Sequence, residues 1–350
     1  MPPKDPYSYF ISHENDSSPC LFTITEGNRL VWEVTNTCNL GCSHCSVDSP
    51  RDGEDPKGSK LKLKKSIEIT RELVDNGVDS IYISGGEPGL WKPLGEFIPR
   101  AKELGVGLIS VASNGTIAEA YTSEELANMG MDKVLISLDS HLRDRHDSFR
   151  GATNSYDRAV SAIIDLLKQN VYLRVGSVIW SGNVDQLEEM TRFLNDLGAN
   201  EVAYNWLVKT GRVAINHQVL VPWDRYREVG YRLRSMRSFY EDNDILISFH
   251  RFNELDDNSI GCPGGKKIWH IYSHGGLSPC SWITKTLPQY ITSNTIFDAS
   301  LSQLMRDPRI QSFREMVRRR EDIYGPGCPA ICVSENGSIM SRDPLYRGLK

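Results

Sequence analysis

Cys38-Asn-Leu-Gly-Cys42-Ser-His-Cys45 places three cysteines in one short stretch at C-x3-C-x2-C spacing. Thiolates are soft ligands that suit zinc or iron–sulfur clusters. Three on a tight loop can hold three irons of a [4Fe–4S] cube, leaving the fourth iron open to a small molecule. The alternative is a zinc ion with His44 as its fourth ligand, although adjacent His44 and Cys45 are poorly placed to share one tetrahedral ion. A second set, Cys262, Cys280, Cys328 and Cys332, has C-x17-C-x47-C-x3-C spacing. Four thiolates from a hairpin and a distant loop suit one metal centre, and spacing does not separate zinc from iron–sulfur. Cys20 stands alone and reads as a free thiol.

The elements around these residues say where the loops must lie. From Arg29 onward, short β-branched runs alternate with amphipathic stretches. Strands are expected at Leu30–Thr35, Ser80–Ser84, Gly107–Ala112, Lys133–Leu138, Val171–Val178 and Glu201–Leu207. Helices are expected near 63–76, 93–104, 122–129, 155–169 and 184–197. In the fourth helix Tyr156, Ala159, Val160, Ile163, Ile164 and Leu167 recur on one face, with Asn154 or Ser155 as the cap. Strands alternating with helices imply a parallel sheet with right-handed crossovers. Six units are two short of a closed eight-fold barrel, so the expected fold is α/β, an open, partial (β/α)6 TIM-like barrel. In such a sheet the C-terminal ends of the strands carry the chemistry, and the first cysteine loop sits on one of them. The rhythm breaks after Gly211-Arg212. The expected division is an N-terminal arm (1–28), the barrel (29–215), a linker with a helix (216–250) and a cysteine-rich domain (251–350).

Composition narrows the setting. The 350-residue chain has a net charge of −5, so no global basic field favours nucleic acid or an anionic membrane. No apolar run is long enough to cross a bilayer, and the N-terminal residues lack the apolar stretch of a signal peptide. A cytoplasmic location follows, where clustered cysteines serve as ligands more often than as disulfides.

The second strand ends in Ser84-Gly85-Gly86-Glu87-Pro88. Glycines let backbone approach a ligand closely, and a carboxylate can accept hydrogen bonds from an ammonium. A C-x3-C-x2-C loop on one strand followed by Gly-Gly-Glu on the next resembles the radical S-adenosylmethionine (SAM) enzymes, over roughly residues 29–212. The resemblance implies that Cys38, Cys42 and Cys45 hold a [4Fe–4S] cluster whose open iron chelates the amino and carboxylate groups of SAM. Reductive cleavage of SAM then gives a 5′-deoxyadenosyl radical that abstracts hydrogen from substrate, with an electron donor such as flavodoxin or ferredoxin. It implies that Gly85, Gly86, Glu87 and Pro88 form the site for the methionine ammonium. The position before the third cysteine usually carries an aromatic that meets the adenine; here it is His44. Ser113-Asn114, Ser137 and Asp139, then His146-Asp147 and Arg150, resemble the segments that line the SAM carboxylate and ribose.

The C-terminal part resembles the SPASM extension of the same family. Cys262-Pro-Gly-Gly, a Gly275-Gly276 turn and Pro279-Cys280 match its start, and four cysteines rather than seven resemble the shorter twitch form with one auxiliary [4Fe–4S] cluster. Its last pair is usually C-x2-C, whereas Cys328 and Cys332 are C-x3-C. Two substrate classes compete. The stretch before the first strand is shorter than the leader-binding domain that peptide maturases often carry, which favours a small molecule: a sugar, aminocyclitol or nucleoside of an antibiotic pathway. Dehydrogenation, decarboxylation of the cytosylglucuronate type and epimerisation are the candidate reactions. The alternative is maturation of a ribosomally made peptide. Polar residues at inward strand positions, Glu33, Arg174, Tyr204, Asn205 and Lys209, are the substrate candidates.

Overall fold

The computed structural model describes residues 28–50, 61–169, 171–240, 245–249 and 262–344; Cys20 and the expected arm before residue 28 lie outside them. The six expected strands are β1 (Asn28–Thr35), β2 (Val78–Gly85), β3 (Leu108–Ser113), β4 (Lys133–Ser137), β5 (Leu173–Ile179) and β6 (Glu201–Trp206). They pair in parallel and in chain order. Between them run α1 (Leu63–Asp75), α2 (Leu94–Glu103), α3 (Ile117–Ala120), α4 (Ser123–Asn128), α5 (Arg143–Arg150), α6 (Ser155–Lys168) and α7 (Leu187–Leu197).

The sheet continues beyond the expected barrel. After α8 (Tyr226–Tyr240), strand β7 (Leu246–Phe249) adds in parallel to β6, and β8 (Ile268–Ile271) adds in parallel to β1 at the opposite edge. The short β9 (Leu277–Ser278) returns antiparallel to β8. The result is one open sheet in the order β7-β6-β5-β4-β3-β2-β1-β8-β9. Its hydrogen bonding therefore runs across both expected borders, at 215 and at 250. Ile245–Phe249 and Ile268–Tyr272 read as strand-like in the sequence, but no local pattern records that residues 29–32 will pair with residues 268–271. Helices α9 (Ser281–Thr286), α10 (Leu301–Met305), α11 (Pro308–Tyr324) and α12 (Pro329–Asn336) complete the chain. Among the described residues, no helix is long and apolar enough to cross a membrane.

Alternation along β1 separates helix-facing from concave-facing side chains. Leu30, Trp32 and Val34 are fully buried, and Trp32 meets Phe97 of α2 edge-on at 5.7 Å. Paired residues of parallel strands share a face, so Glu33 lies beside Ser84 on the concave side. A carboxylate buried there needs a partner, and His270 of β8 supplies it, its Nε2 3.1 Å from Glu33 Oε1.

Helix α5 escapes sequence patterning because only His146, Phe149 and Arg150 of its eight residues are buried. The start of α6 also differs from expectation. Asn154 adopts a left-handed conformation and makes no side-chain cap. Instead, Asp147 of α5 accepts hydrogen bonds from the Asn154 and Tyr156 amides and the Ser155 hydroxyl at 2.7–2.8 Å. Asp147 thus joins α5 to α6.

At the beginnings of the central strands lies a buried ionic network. Glu201 takes Arg174 Nε at 3.1 Å, Lys133 Nζ at 3.2 Å and the Ser248 hydroxyl at 2.6 Å. Burial opposes the Glu201 charge, but Arg174 and then Lys133 outweigh it and hold the carboxyl down at about 2. Removing one partner of a buried ion pair leaves the other charge uncompensated. Glu201→Gln should therefore lower stability to urea by about 3 kcal/mol. Because the folded value is depressed, the parent's gain from this group should be complete above about pH 4.5 and should fade as pH falls toward about 2. Equal urea stability of variant and parent at pH 7 would show that the network contributes nothing net.

Candidate active site at the strand C-termini

An open cavity lies at the C-terminal ends of the strands, lined by Cys38, Cys42 and Cys45 together with Gly85, Gly86, Glu87 and Pro88. Local packing fixes the cysteine loop. Cys38 and Cys42 are buried around Leu40, with Cys45 and Ala152 packed beside them. Burial pushes the Cys38 thiol up to about 11 and raises that of Cys42, so the thiolate form needs compensating positive charge. Arg150 Nη1 lies 3.9 Å from Cys42 Sγ, and Asn114 Nδ2 4.0 Å from Cys38 Sγ. Among the described residues, no three His, Cys, Asp or Glu side chains converge as ligands of a single metal ion. A cube of four irons spreads its thiolates more widely than one tetrahedral ion does, so the chemistry and layout of this donor set fit a cluster.

The Gly-Gly-Glu turn has a use inside the chain. The Gly86 amide donates to the Thr35 carbonyl and the Glu87 amide to the Thr37 carbonyl, both at 2.8 Å. A Cβ at Gly85 would lie 2.2 Å from the Thr35 oxygen, and one at Gly86 2.1 Å from the Thr37 oxygen. The close approach that demands glycine is thus to the strand leading into Cys38. Glu87 is similarly occupied. Its Oε1 accepts from Ser113 Oγ at 2.7 Å and from the Gly89 amide at 3.0 Å, and its Oε2 from the Asn114 amide at 2.8 Å. Burial raises its pKa against the pull of these donors. A carboxylate has about four acceptor positions, so roughly one, on Oε2, remains for a ligand.

Asp139 and Arg150 pair with each other. Arg150 Nε lies 2.6 Å from Asp139 Oδ2, while Asp139 Oδ1 accepts from the Val178 amide at 3.0 Å. Burial opposes the Asp139 charge, yet Arg150 holds the carboxyl below its usual value. Both residues line the cavity, as do Ser113, Asn114 and Ser137. Asp139 is therefore committed to Arg150 and β5, and Arg150 is aimed between Asp139 and Cys42. His44 lines the cavity with one ring face stacked on Phe149 at 4.2 Å, and Phe149 stacks in turn on Trp180 at 4.1 Å. Burial, with Arg150 nearby, drops the His44 pKa to about 3, so the ring is neutral, and its Nδ1 is buried without a hydrogen-bond partner.

The substrate candidates mostly lie elsewhere. Only Asn205 of the five lines the cavity. Arg174 is engaged by Glu201 at the opposite end of the strands, and Glu33 by His270. Tyr204 faces α7, where its hydroxyl meets Thr191 Oγ1 at 2.7 Å and donates to the Leu187 carbonyl at 3.0 Å. Lys209 reaches Glu335 of α12 at 3.1 Å. Sequence reasoning missed Trp282, which lines the cavity although it follows Cys280 by two residues. An aromatic two residues after a candidate ligand cysteine was the available signal.

In the C-terminal site, Cys262, Cys280 and Cys328 pack around a small core of Phe313, Val317, Ala330 and Ile339. Burial, then the neighbouring Cys328 and Cys280 sulfurs, push the Cys262 thiol up. Cys332 is fully buried one helical turn beyond Cys328.

Comparison with known proteins agrees with this geometry. The model of the radical SAM superfamily matches residues 32–197. The AdoMet-dependent heme synthase of Oleidesulfovibrio alaskensis is 23% identical over 358 residues, covering 92% of this chain and 89% of that one. AlbA of Bacillus subtilis, the antilisterial bacteriocin subtilosin biosynthesis protein, is 26% identical over 308 residues, 85% of this chain and 64% of AlbA. The crystal structure of Streptococcus suis SuiB bound to precursor peptide SuiA has the same fold, with a TM-score of 0.72 at 18% identity over 96% of this chain and 78% of SuiB.

Glu87→Ala should weaken SAM binding by about 1.5–3 kcal/mol, the range for a hydrogen bond to a charged group, with iron content unchanged. Equal SAM affinity in a folded, iron-loaded variant would restrict Glu87 to its bonds with Gly89, Ser113 and Asn114. Residues 32–197 are a radical SAM domain, and the chain is an enzyme with relatives in the SPASM/twitch subgroup.

Proposed function

We propose that this radical SAM enzyme modifies a peptide, taking one apolar or aromatic side chain into the cavity, and that its C-terminal cysteines hold an auxiliary [4Fe–4S] cluster. The observation that carries the substrate class is the state of the charged groups. Arg174 and Lys209, the two cations expected to grip a polar substrate, are paired to Glu201 and Glu335 and do not line the cavity. The acids and the guanidinium that do line it, Glu87, Asp139 and Arg150, are already bonded within the chain. What β4, β5, the end of β6 and the C-terminal part add to the wall includes apolar Leu135, Val178, Leu207, Val208 and Trp282 together with uncharged Ser137, Asn205 and Thr210. With its charged groups committed, the wall offers a sugar or nucleoside only neutral hydroxyl and amide partners, whereas an apolar side chain needs none. AlbA, named for the biosynthesis of a bacteriocin, supports the same class. The peptide reading therefore stands ahead of the sugar, aminocyclitol or nucleoside expected from the sequence.

A second reading, a tetrapyrrole substrate, is favoured by one observation. The alignment with the heme synthase runs over 89% of that protein's length, against 64% for AlbA.

The chemistry that cluster and SAM supply when bound is hydrogen-atom abstraction. The chain's part is to hold and orient. Cys38, Cys42 and Cys45 would ligate the cluster, Arg150 would offset their negative charge, and Gly85–Pro88 would seat the SAM ammonium. For a net oxidation, the auxiliary cluster would accept the second electron.

Two measurements test these readings. Anaerobic reconstitution should give about eight irons per chain, and about four once Cys38, Cys42 and Cys45 are all alanine. Zinc in place of the remaining iron would overturn the auxiliary cluster. Reconstituted enzyme with SAM and dithionite should form 5′-deoxyadenosine together with a mass change in a peptide encoded beside its gene. Formation of 5′-deoxyadenosine and product from iron-coproporphyrin III or an aminoglycoside, with every such peptide unchanged, would overturn the peptide reading.

A further inference from the structure

Arg320 of α11 is fully buried beside the C-terminal cysteines. Its Nη1 donates to the Gly325 carbonyl at 3.0 Å, while Nε and Nη2 have no hydrogen-bond partner among the described residues. A guanidinium keeps its charge when buried, so two unsatisfied donors are costly unless an acceptor or anion comes within their reach. On its own helix, the buried neighbours Phe313 and Val317 are apolar.

The groups that face it belong to the cysteine loop. Cys328 follows directly on Gly327, and Cys332, fully buried, lies one helical turn beyond it. Asp343, fully buried, accepts the Cys328 amide at 2.7 Å. Gly327 leaves the space that both need. A Cβ there would lie 2.7 Å from Arg320 Nη2 and 2.8 Å from the Asp343 Cβ, on a backbone at φ +148. The arrangement has two parts: Asp343 fixes the Cys328 backbone, and Arg320 brings unused donors to the loop that carries Cys328.

We propose that Arg320 is the counter-charge of the metal–thiolate centre formed by the C-terminal cysteines, donating its two unpartnered N–H groups to the sulfur of that centre. The inference rests on the auxiliary-cluster reading. A cluster held by four thiolates is anionic and becomes more so when reduced. A fixed cation favours the more negative state, so Arg320 raises the reduction potential and eases electron uptake. It is a positioning residue that acts on the centre's electrostatics, not on substrate.

The test uses the full chain with Cys38, Cys42 and Cys45 changed to alanine, so that the C-terminal centre alone is read by electron paramagnetic resonance during a redox titration. Arg320→Gln should shift the midpoint to more negative potential. Arg320→Lys, which keeps the charge but loses the planar fork, should shift it the same way by less. Should the glutamine variant fail to fold or load iron, the lysine variant carries the comparison. Unchanged potential in whichever folded, iron-loaded variants are obtained, even with a lowered melting temperature, would make Arg320 a merely structural residue and overturn the inference. A parent that binds zinc or no metal would instead overturn the cluster reading, and the inference with it.

Discussion

Asp139 and Arg150 are both buried, and neither charge is tolerable alone, so the 2.6 Å pair between them constrains everything around it. The pair gathers four separate parts of the chain. Asp139 takes the Val178 amide of β5 on its second oxygen, its own amide meets His146 of α5, and its carbonyl accepts from Asn183. Arg150, from the last turn of α5, carries the remaining positive charge to Cys42. Phe149, its neighbour, seats the His44 ring against Trp180. The cysteine loop is thus held from β4, β5 and α5 through one ion pair, and the same pair sets the charge beside the thiols.

Pairing of buried charged groups recurs in this protein. Glu201 pairs with Arg174 and Lys133 at the strand beginnings, and Glu33 lies 3.1 Å from His270 on a strand from the other end of the chain. None of these paired groups lines the cavity. Apart from Asp139, which Arg150 engages, what faces the cavity from β4, β5 and the C-terminal part is uncharged, and the proposed substrate class rests on that subtraction. Arg320 is an exception: its Nε and Nη2 have no hydrogen-bond partner among the described residues.

The part of the site legible in the sequence is the part built from local spacing. Three cysteines on one loop, and Gly-Gly-Glu at the end of the next strand, keep their meaning whatever surrounds them. The five barrel helices, the helix near 223–240 and all six barrel strands were legible for the same reason, since apolar periodicity is a local property. Helix α5 was not, because only three of its eight residues, His146, Phe149 and Arg150, are buried, and two of those are polar. Glu87 was recognisable as an acceptor, but not as one already holding donors from Ser113 and Asn114.

The chain's residues alone determined the metal-binding chemistry, the α/β rhythm and the class of reaction, because each depends on residue type and short-range spacing. Tertiary structure decided which polar groups remain available. Tyr204 and Asn205 are adjacent, yet the strand's two-residue alternation sends one to α7 and the other to the cavity. Asp139 and Arg150, Arg174 and Glu201, and Trp282 with the cavity meet only after strands pair and helices dock. No local pattern encodes those meetings, since burial makes a charge seek whichever partner the folded chain brings within reach.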